Sequence, residues 1–520
     1  MPYAIHSYSI EGLVELLSQV AKAPPSQVNL KQHKNYFENY FEKLGAKTIV
    51  AEFDYIDHDY LEDYSSYYVK CFYDYRRKCG RFHFFQESFT NEDFSKILSS
   101  ENDSLLEKLK TTYLGFIVAK PLPKTIIGRT CLTTYPCEDV RFFPITRDYN
   151  ANLFGIELNV KTLAYQEQDQ VAAACATSSL WSVFHGTGML FHHAIPSPIE
   201  ITQTATEKSP AEKRNLPNKG LTLEQMGHAI RDVGLDPFLV RATDEYILKS
   251  TAYGYLRARV PLVLAIQLVD TSTVDHSLIG GHAVAVTGFR VGPSEPKPMD
   301  GTGFLLRSTR IEKIYVHDDQ IGPFARMEFD GITVNLENSS NGHKHPYPSL
   351  SSSWRGENAE CGKVRALPQA VLVPLYHKIR IPFEIIHDLI FDFDSLIETL
   401  RTEGFIPFLP ERIEWDIFLS QLNDFKGEVL TSFSIPKEKK ESLLTAKMPK
   451  FIWRAIGSTQ EGPVVEFLFD ATDIEQGNLF IKSVEYNDDF HNFLKAISKI
   501  PDLVKYSSRS RAIFDWFSSQ

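Results

Sequence analysis

A single cysteine at the start of a helical pattern is the feature that most restricts what this chain can form. The polar run from Gln166 to Gln170 leads into small residues, and Cys175 follows them. The apolar positions after it recur with the period of a helix at Ala176, Leu180, Val183 and Phe184. Short polar residues right after Cys175 are typical of a helix start. We therefore expect Cys175 at a helix N-terminus, where free amides and the helix dipole favour a thiolate.

A candidate base for this thiol lies downstream, in an apolar strand pattern. His282 follows Gly280 and Gly281 and opens the run 283–289, which is apolar on both faces. Such a run predicts a central strand of a sheet. A cysteine nucleophile needs a histidine that accepts its proton, so His282 is the candidate general base.

The next hydrophobic strand pattern ends in two acidic residues. Ile314, Val316 and Asp318 alternate along the chain and therefore share one face of an extended strand, whereas Asp319 points to the other face. We expect Asp318, not Asp319, to orient the imidazole of His282. A bulge at the strand end would reverse this assignment.

In this order, these residues resemble the papain-like cysteine peptidases. Glutamines before a cysteine at a helix start, Gly-His on a strand and Asp at the end of the next strand match that family's arrangement. The run from Gly281 to Phe289 is most similar to the bacterial branch, which includes the double-glycine-leader peptidases. The resemblance covers about residues 151–380 and lies in the motifs alone.

The resemblance implies a role for each residue of the motif. Cys175 would attack a carbonyl carbon, and His282 would serve as general base and then as general acid. Asp318 would orient His282. The activity implied is that of a cysteine peptidase, which hydrolyses a peptide bond through a thioester intermediate.

The oxyanion hole is where the chain departs from the family pattern. In the family, a glutamine that helps to form this hole usually lies six positions before the cysteine, where this chain has Asp169. Gln168 or Gln170 would serve if the turn is one residue longer or shorter. We favour Gln168, because Gln-Asp occurs at this point in some family members.

Composition excludes several other classes of protein. The chain has 520 residues and a net charge of −11 without a basic block, which disfavours nucleic acid as the main partner. No apolar run approaches the roughly 20 residues of a membrane helix, and the N-terminus lacks the regions of a signal peptide. The six cysteines include no Cys-x-x-Cys pair, which predicts reduced thiols and a cytoplasmic protein.

The spacing of possible metal ligands is poor, and no cofactor motif stands out. Histidines cluster loosely at 185–193 and 343–345 without matching carboxylates or thiols. The sequence contains no glycine-rich phosphate loop, internal repeat or heptad pattern. We therefore expect neither a metal nor a cofactor.

By pattern, the chain divides into three α+β parts. Residues 1–150 combine amphipathic helices with strand patterns, among them 66–72, and contain no catalytic motif. Residues 151–380 have the helix layer and largely antiparallel sheet expected of a papain-like core. Residues 381–520 begin with a long amphipathic helix and continue as a meander of strands. Within the core, residues 337–367 are expected to lack regular structure, either as a disordered loop or as a lid over substrate.

Three classes of function stay open. The first is a cysteine peptidase acting on a restricted protein or peptide substrate. The second is another thiol acyl-transfer enzyme, namely an amidase, an isopeptidase or a transglutaminase-like enzyme. The third is a catalytically inactive module that binds a partner, which Asp169 in the place of the glutamine favours. The sequence names neither the substrate nor the oligomeric state.

Overall fold

The computed structural model describes residues 2–519 with internal gaps. The gaps are 30, 136–139, 170, 172–173, 208–219, 273–275, 338–343, 355–362, 434, 436, 474–477, 501–502 and 504–507. The chain forms two compact units. The first comprises residues 1–243, 261–290 and 313–374, and the second comprises 244–260, 291–312 and 375–520.

Both units mix helices with antiparallel sheets, so the chain is α+β as expected. The helices are α1 (Ile10–Ala21), α2 (Pro25–Asn29), α3 (Gln32–Leu44), α4 (His58–Ser66), α5 (Asn91–Leu98), α6 (Asp103–Thr111), α7 (Cys175–Phe191), α8 (Pro198–Glu207), α9 (Leu223–Asp232), α10 (Glu245–Leu256), α11 (Phe383–Thr402), α12 (Leu422–Thr431), α13 (Lys437–Thr445), α14 (Asp488–Ile497) and α15 (Arg511–Ser519). Short 3-10 helices cover Tyr68–Lys70 and Arg307–Arg310.

The strands of the first 300 residues are β1 (Tyr3–Ser7), β2 (Thr48–Tyr55), β3 (Cys79–Phe85), β4 (Tyr113–Ala119), β5 (Ile127–Leu132), β6 (Arg141–Phe142), β7 (Arg147–Leu153), β8 (Ile156–Thr162), β9 (Leu235–Arg241), β10 (Leu262–Asp270) and β11 (Ser277–Val291). Those that follow are β12 (Leu305–Leu306), β13 (Ile311–Asp318), β14 (Gly322–Glu328), β15 (Thr333–Glu337), β16 (Lys344–Pro348), β17 (Leu350–Ser351), β18 (Val364–Tyr376), β19 (Glu414–Gln421), β20 (Phe451–Thr459), β21 (Gly462–Asp470) and β22 (Phe480–Glu485).

The first unit contains a closed barrel of strands. The order around it is β10, β11, β13, β14, β17 and β18, and β18 also pairs with β10. On β10, Val263 lies between Ala285 of β11 and Leu372 of β18. Consecutive residues of β11 from His282 to Phe289 are buried, so both faces of this strand pack against other parts of the unit, which explains why it is apolar on both faces. The expected central strand at His282 is therefore confirmed.

A second sheet of the first unit is built from residues 1–132. Its strands follow the chain in the order β1, β2, β3, β4 and β5, and each pair is antiparallel. One hydrophobic core joins this sheet to the cysteine helix, since it includes both Phe85 of β3 and Trp181 of α7. Residues 1–150 and the barrel thus belong to one unit.

The helix α7 is enclosed more fully than its sequence pattern predicts. The sequence indicates one apolar face, but every residue from Ala176 to His185 is buried. Small and hydroxyl-bearing residues on the other faces, such as Thr177, pack closely against neighbours. The hydroxyl of Thr177 lies 3.0 Å from that of Thr202 on α8.

The second unit carries the meander expected from the sequence. Strands β19, β20, β21 and β22 pair in sequence order and antiparallel, and β12 adds to β19 in parallel. The long helix α11 follows Pro382, as its amphipathic pattern predicts. The indole N–H of Trp453 donates to the carbonyl of Ile381 at 2.8 Å, which fixes the start of this helix to the sheet.

Two predictions of local structure are wrong. Residues 66–72 are not a strand, because α4 runs to Ser66 and a 3-10 helix follows. The Asp57 side chain accepts the amide of Tyr60 at 3.1 Å and starts this helix. Residues 337–367 are not structureless, because their described part contains β16, β17 and the start of β18. A local helix cap therefore decides the first segment, whereas strand pairing overrides weak local propensity in the second.

Among the described residues, none of the helices has the length and apolar character needed to cross a membrane.

Candidate active site

Cys175 is the first residue of α7, at the expected helix N-terminus. Ala174 precedes it and has no side-chain acceptor, so the first turn is not capped. The amide of Ser178 donates to the carbonyl of Ala174 at 3.0 Å, which begins the helical hydrogen bonding. The amides before it have no acceptor within the helix and are therefore available to an anion beside Cys175.

Two serines of α7 fix the position of this helix relative to strand β11 and to the segment before Cys175. The hydroxyl of Ser179 donates to the carbonyl of Ala283 at 2.8 Å, one residue after His282. The hydroxyl of Ser182 donates to the carbonyl of Ala164 at 3.0 Å. These bonds set where Cys175 lies relative to the strand that carries His282.

His282 lies between the thiol and a carboxylate. Its Nε2 atom is 3.0 Å from Oδ1 of Asp318, and the side chain of Cys175 lies close enough to help raise the pKa of His282. A carboxylate only accepts hydrogen bonds, so Nε2 carries the proton and Nδ1 is left for the thiol. Burial by itself would lower the pKa of His282, but the charges of Asp318 and Asp319 raise it well above its ordinary value.

Asp318 is held by donors on both oxygens. Oδ1 also accepts the amide of Gln320 at 3.0 Å, and Oδ2 accepts the indole N–H of Trp354 at 2.7 Å. Burial would raise the pKa of Asp318, but the charge of His282 and these hydrogen bonds keep it below the ordinary value. Asp318 is thus an anion in a fixed orientation.

Asp319 also lies near His282, which differs from the expectation. Its Oδ1 atom is 3.8 Å from Nε2 of His282, too far for a hydrogen bond. The pairing of β13 with β14 is irregular after Val316, and β13 ends at Asp318. Asp319 therefore lies in the following turn, where strand alternation no longer applies.

The carboxyl of Asp319 is buried and lacks hydrogen bonds to other described residues. Burial, helped by the charges of Asp318 and Glu167, raises the pKa of Asp319 to about 7, although His282 acts in the opposite direction. At neutral pH this carboxyl is therefore partly protonated, and Asp318 remains the anionic partner of His282.

The glutamines expected at the oxyanion hole are only partly described. Gln170 lies outside the described residues, and Gln168 is half-buried. Both oxygens of Asp169 are engaged elsewhere, since its Oδ2 accepts the hydroxyl of Tyr68 at 2.5 Å and its Oδ1 accepts the amide of Val171 at 2.9 Å. At the position where the family has glutamine, this chain therefore has an acid that stabilises the turn.

The segment before Cys175 is fixed by residues 1–150. Glu167 forms an ion pair with Lys31, and its Oε2 accepts the amides of Ile126 and Ile127 at 2.8 and 3.0 Å. The hydroxyl of Tyr165 lies 2.8 Å from Nε2 of His33. Residues 1–150 thus hold the site in place. Their sequence contains no catalytic motif and gave no sign of this role.

Sequence reasoning missed Trp354 and Tyr68, each of which contacts an acid next to the site. Trp354 is 1% exposed, and a lone tryptophan within a polar, glycine-rich segment is the one feature that pointed to it. Tyr68 is one tyrosine among many in its region, so its contact with Asp169 had no distinguishing sequence pattern.

Within the described chain, one group of side chains could hold a metal ion: His282, Asp318 and Asp319, whose ligand atoms lie within 4.8 Å of one another. These are the residues of the candidate site. The Nε2 atom of His282 and both oxygens of Asp318 are already engaged in hydrogen bonds. The group therefore fits a hydrogen-bonded triad better than a metal centre.

Comparison with known proteins adds no family to these observations. None of the protein-family models matches the chain. A search of the curated proteins finds no match either.

We predict that Cys175 is the most reactive of the six thiols. Cys79 and Cys131 are buried, and burial raises the pKa of both thiols. Cys71 and Cys175 are both half-buried, but only Cys175 begins a helix beside a histidine. Brief labelling with iodoacetamide at pH 7, followed by peptide mass spectrometry, should therefore modify Cys175 first. Faster labelling of Cys71 would contradict this prediction.

We expect Asp318→Asn, but not Asp319→Asn, to slow the alkylation of Cys175. The first substitution removes the charge that holds His282 as a proton acceptor, and we expect a loss of roughly tenfold. The second removes a carboxyl without a hydrogen bond to His282, and its effect should stay below about twofold. Circular dichroism serves as the folding control. A loss in Asp319→Asn alone would transfer the role to Asp319.

Asp319 should also make stability depend on pH. Its pKa is about 7 in the folded chain and about 3.9 in an unfolded one, so the folded state keeps a proton between these values. Stability then falls as pH rises from about 4 to about 7. Relative to the wild type, Asp319→Asn should therefore gain roughly 1–4 kcal/mol in urea unfolding between pH 4.5 and pH 8.

Asp236→Asn serves as the matched control for this measurement. Asp236 is an exposed acid of the same unit, so replacing it removes a carboxyl that was never buried. Its stability difference from the wild type should be the same at both pH values. An Asp319→Asn difference that also stays constant would show that Asp319 is ionised throughout.

Proposed function

We propose that this protein is a papain-like cysteine peptidase that hydrolyses a peptide bond in a restricted protein substrate. One observation carries the proposal: Cys175 at an uncapped helix N-terminus meets His282, and His282 meets the buried Asp318. The resemblance implies a helix layer beside a largely antiparallel sheet, and the buried helix α7 beside antiparallel strands supports the proposal. Thiol, base and orienting acid are what nucleophilic catalysis by cysteine requires.

The first half of the reaction forms a thioester. The raised pKa of His282 favours transfer of the thiol proton to its Nδ1 atom before substrate binds, and the thiolate sulfur of Cys175 then bonds to the carbonyl carbon of the substrate. The resulting imidazolium keeps its Nε2 proton hydrogen-bonded to Asp318, which stabilises its charge. His282 then gives the Nδ1 proton to the leaving amine as the carbon–nitrogen bond breaks.

The second half consumes water. His282 takes a proton from the water molecule, whose oxygen attacks the thioester carbon, and the carbon–sulfur bond breaks. The proton returns to the sulfur of Cys175, and the product leaves as a carboxylic acid. An amine in place of water would make the same site a transferase.

The oxyanion of both tetrahedral intermediates needs hydrogen-bond donors. The amide of Cys175 is a donor at the helix N-terminus, and Gln168 or Gln170 is the candidate for the second. One such donor contributes about 3–4 kcal/mol to lowering the barrier. Because Asp169 replaces the usual glutamine, an inactive binding module is the alternative that this segment favours.

The proposed substrate is one protein or a few. Residues 1–150 and 381–520 are large compared with what the triad needs, and such additions restrict which partners a site accepts. Weak activity on generic peptides is therefore expected. We further propose action in the cytoplasm without nucleic acid, metal or cofactor, consistent with the acidic, cysteine-poor sequence.

A substrate trap tests the proposal. We expect Cys175→Ala to retain its substrate on a pull-down, because binding survives while thioester formation does not. Wild-type protein added to the captured material should then produce new protein termini. Iodoacetamide should abolish this cleavage and a chelator should leave it unchanged. Cys71→Ala, which removes the other half-buried thiol among the four described cysteines, should cleave like the wild type.

Each other outcome has a definite meaning. A mass increase from amine incorporation, without new termini, would replace hydrolysis by transfer. Loss of cleavage on chelation would assign the group of His282, Asp318 and Asp319 to a metal. Captured proteins that stay unmodified, together with a Cys175 that resists thiol reagents, would establish the binding module.

A further inference from the structure

A cavity of about 320 Å³ lies on the first unit, along one face of α3. The face runs from Gln32 to Lys43 and alternates amide with phenol side chains. Opposite it are Tyr135, Ile321, Arg326 and Ser353. This volume is at the lower end of those of small-molecule sites in proteins.

The aromatic walls of this cavity are rigid. The hydroxyl of Tyr40 donates to the carbonyl of Thr133 at 2.7 Å, and that of Tyr135 donates to the carbonyl of Phe324 at 2.9 Å. The Tyr36 hydroxyl likewise bonds a backbone carbonyl, that of Pro323. Tyr40 and Tyr135 are buried and Tyr36 is half-buried, so the ring surface open to an occupant is mainly that of Tyr36. Fixed rings reduce the entropy lost when a planar ligand binds.

The charge of the cavity is positive, although the chain as a whole is acidic. Lys43 and Arg326 line it, and no acidic residue is among its described lining. The Cζ atoms of Arg326 and Arg141 lie 5.5 and 5.6 Å from the centre of the Tyr135 ring. Burial, followed by the charges of Arg326 and Arg141, lowers the pKa of Lys43, while Glu42 acts in the opposite direction.

We propose that this cavity binds a nucleoside phosphate, with the phosphate at Lys43 and Arg326 and the base against the open part of the tyrosine rings, which is mainly Tyr36. Guanidinium and ammonium groups are the usual protein ligands of phosphate. An aromatic ring can stack on any of the nucleobases, and a side-chain amide can form hydrogen bonds with the polar edge of a base. Gln32 offers a buried amide oxygen, Oε1, that has no partner among the described residues.

The cavity is lined by the immediate neighbours of the two residues that hold the Asp318 carboxylate: Ile321 follows Gln320, and Ser353 precedes Trp354. The amide of Ile321 donates to the carbonyl of Asp318 at 3.0 Å, within one turn. Ser353 directly precedes Trp354, whose indole holds the Asp318 carboxylate. An occupant in contact with Ile321 and Ser353 therefore changes the packing of the residues that fix the acid. This coupling rests on the proposed function, whereas ligand binding does not.

Calorimetry with the full chain tests binding directly. The probes are AMP, GMP, CMP and UMP, with adenosine and inorganic phosphate as controls. At least one nucleotide should bind with a Kd below about 1 mM. Arg326→Gln and Lys43→Gln should each weaken this binding by roughly tenfold, because each removes a charged donor.

Lys34→Gln is the matched control. It makes the same charge change on the same helix, and nine positions separate it from Lys43, which places it on the opposite face. It should bind nucleotide like the wild type. The site is overturned if no nucleotide binds below about 1 mM, or if the three variants behave alike. Inorganic phosphate binding as tightly as the nucleotides would overturn the role of the rings.

The coupling has its own readout. A bound nucleotide should change the rate at which iodoacetamide labels Cys175 by roughly fivefold or more. Lys43→Gln should raise the nucleotide concentration needed for that change by roughly tenfold, in line with its weaker binding. Binding with an unchanged labelling rate would overturn the coupling but leave the binding site intact. A Cys175 that labels slowly with or without nucleotide would instead overturn the proposed function.

Discussion

The buried pair of His282 and Asp318 is the interaction on which the proposed site depends. Their side chains are 2% and 0% exposed, so both charges have lost their water. Such a pair is stable only when further hydrogen bonds satisfy the groups that remain. The amide of Gln320 and the indole of Trp354 do this for the carboxylate. The turn after β13 and the segment that carries Trp354 are therefore as necessary to the geometry as the two charged residues.

The same requirement explains why residues 1–150 and the barrel form one unit. The segment before Cys175 contains three buried polar side chains: Tyr165, Glu167 and Asp169. Each finds its partner in the N-terminal part, at His33, Lys31 and Tyr68 respectively. The N-terminal part is thus a structural component of the site and not an appended domain. Removing it would leave buried polar groups unpaired at the approach to the cysteine helix.

Charge is distributed unevenly within the first unit. Near His282 the acids Asp318, Asp319 and Glu167 exceed the cations, and Asp319 relieves this by keeping its proton up to about neutral pH. Along α3 the balance is reversed, with Lys43 and Arg326 around aromatic rings. The two regions are connected through the turn that holds Asp318 and Ile321, so a charge bound at one can alter the packing of the other.

The sequence by itself determined the local features: the helix start at Cys175, the buried strand at His282 and the strand ending at Asp318. Periodicity reports which face of an element is apolar, and that is enough to place these residues on elements of the right type. Only the tertiary structure decided that the barrel closes, that Asp319 turns toward His282, and that Trp354 and Tyr68 contact the acids. Those contacts join residues 36 to 101 positions apart. Partners so distant in sequence leave no periodic pattern, because their proximity arises when sheets pair and the chain packs.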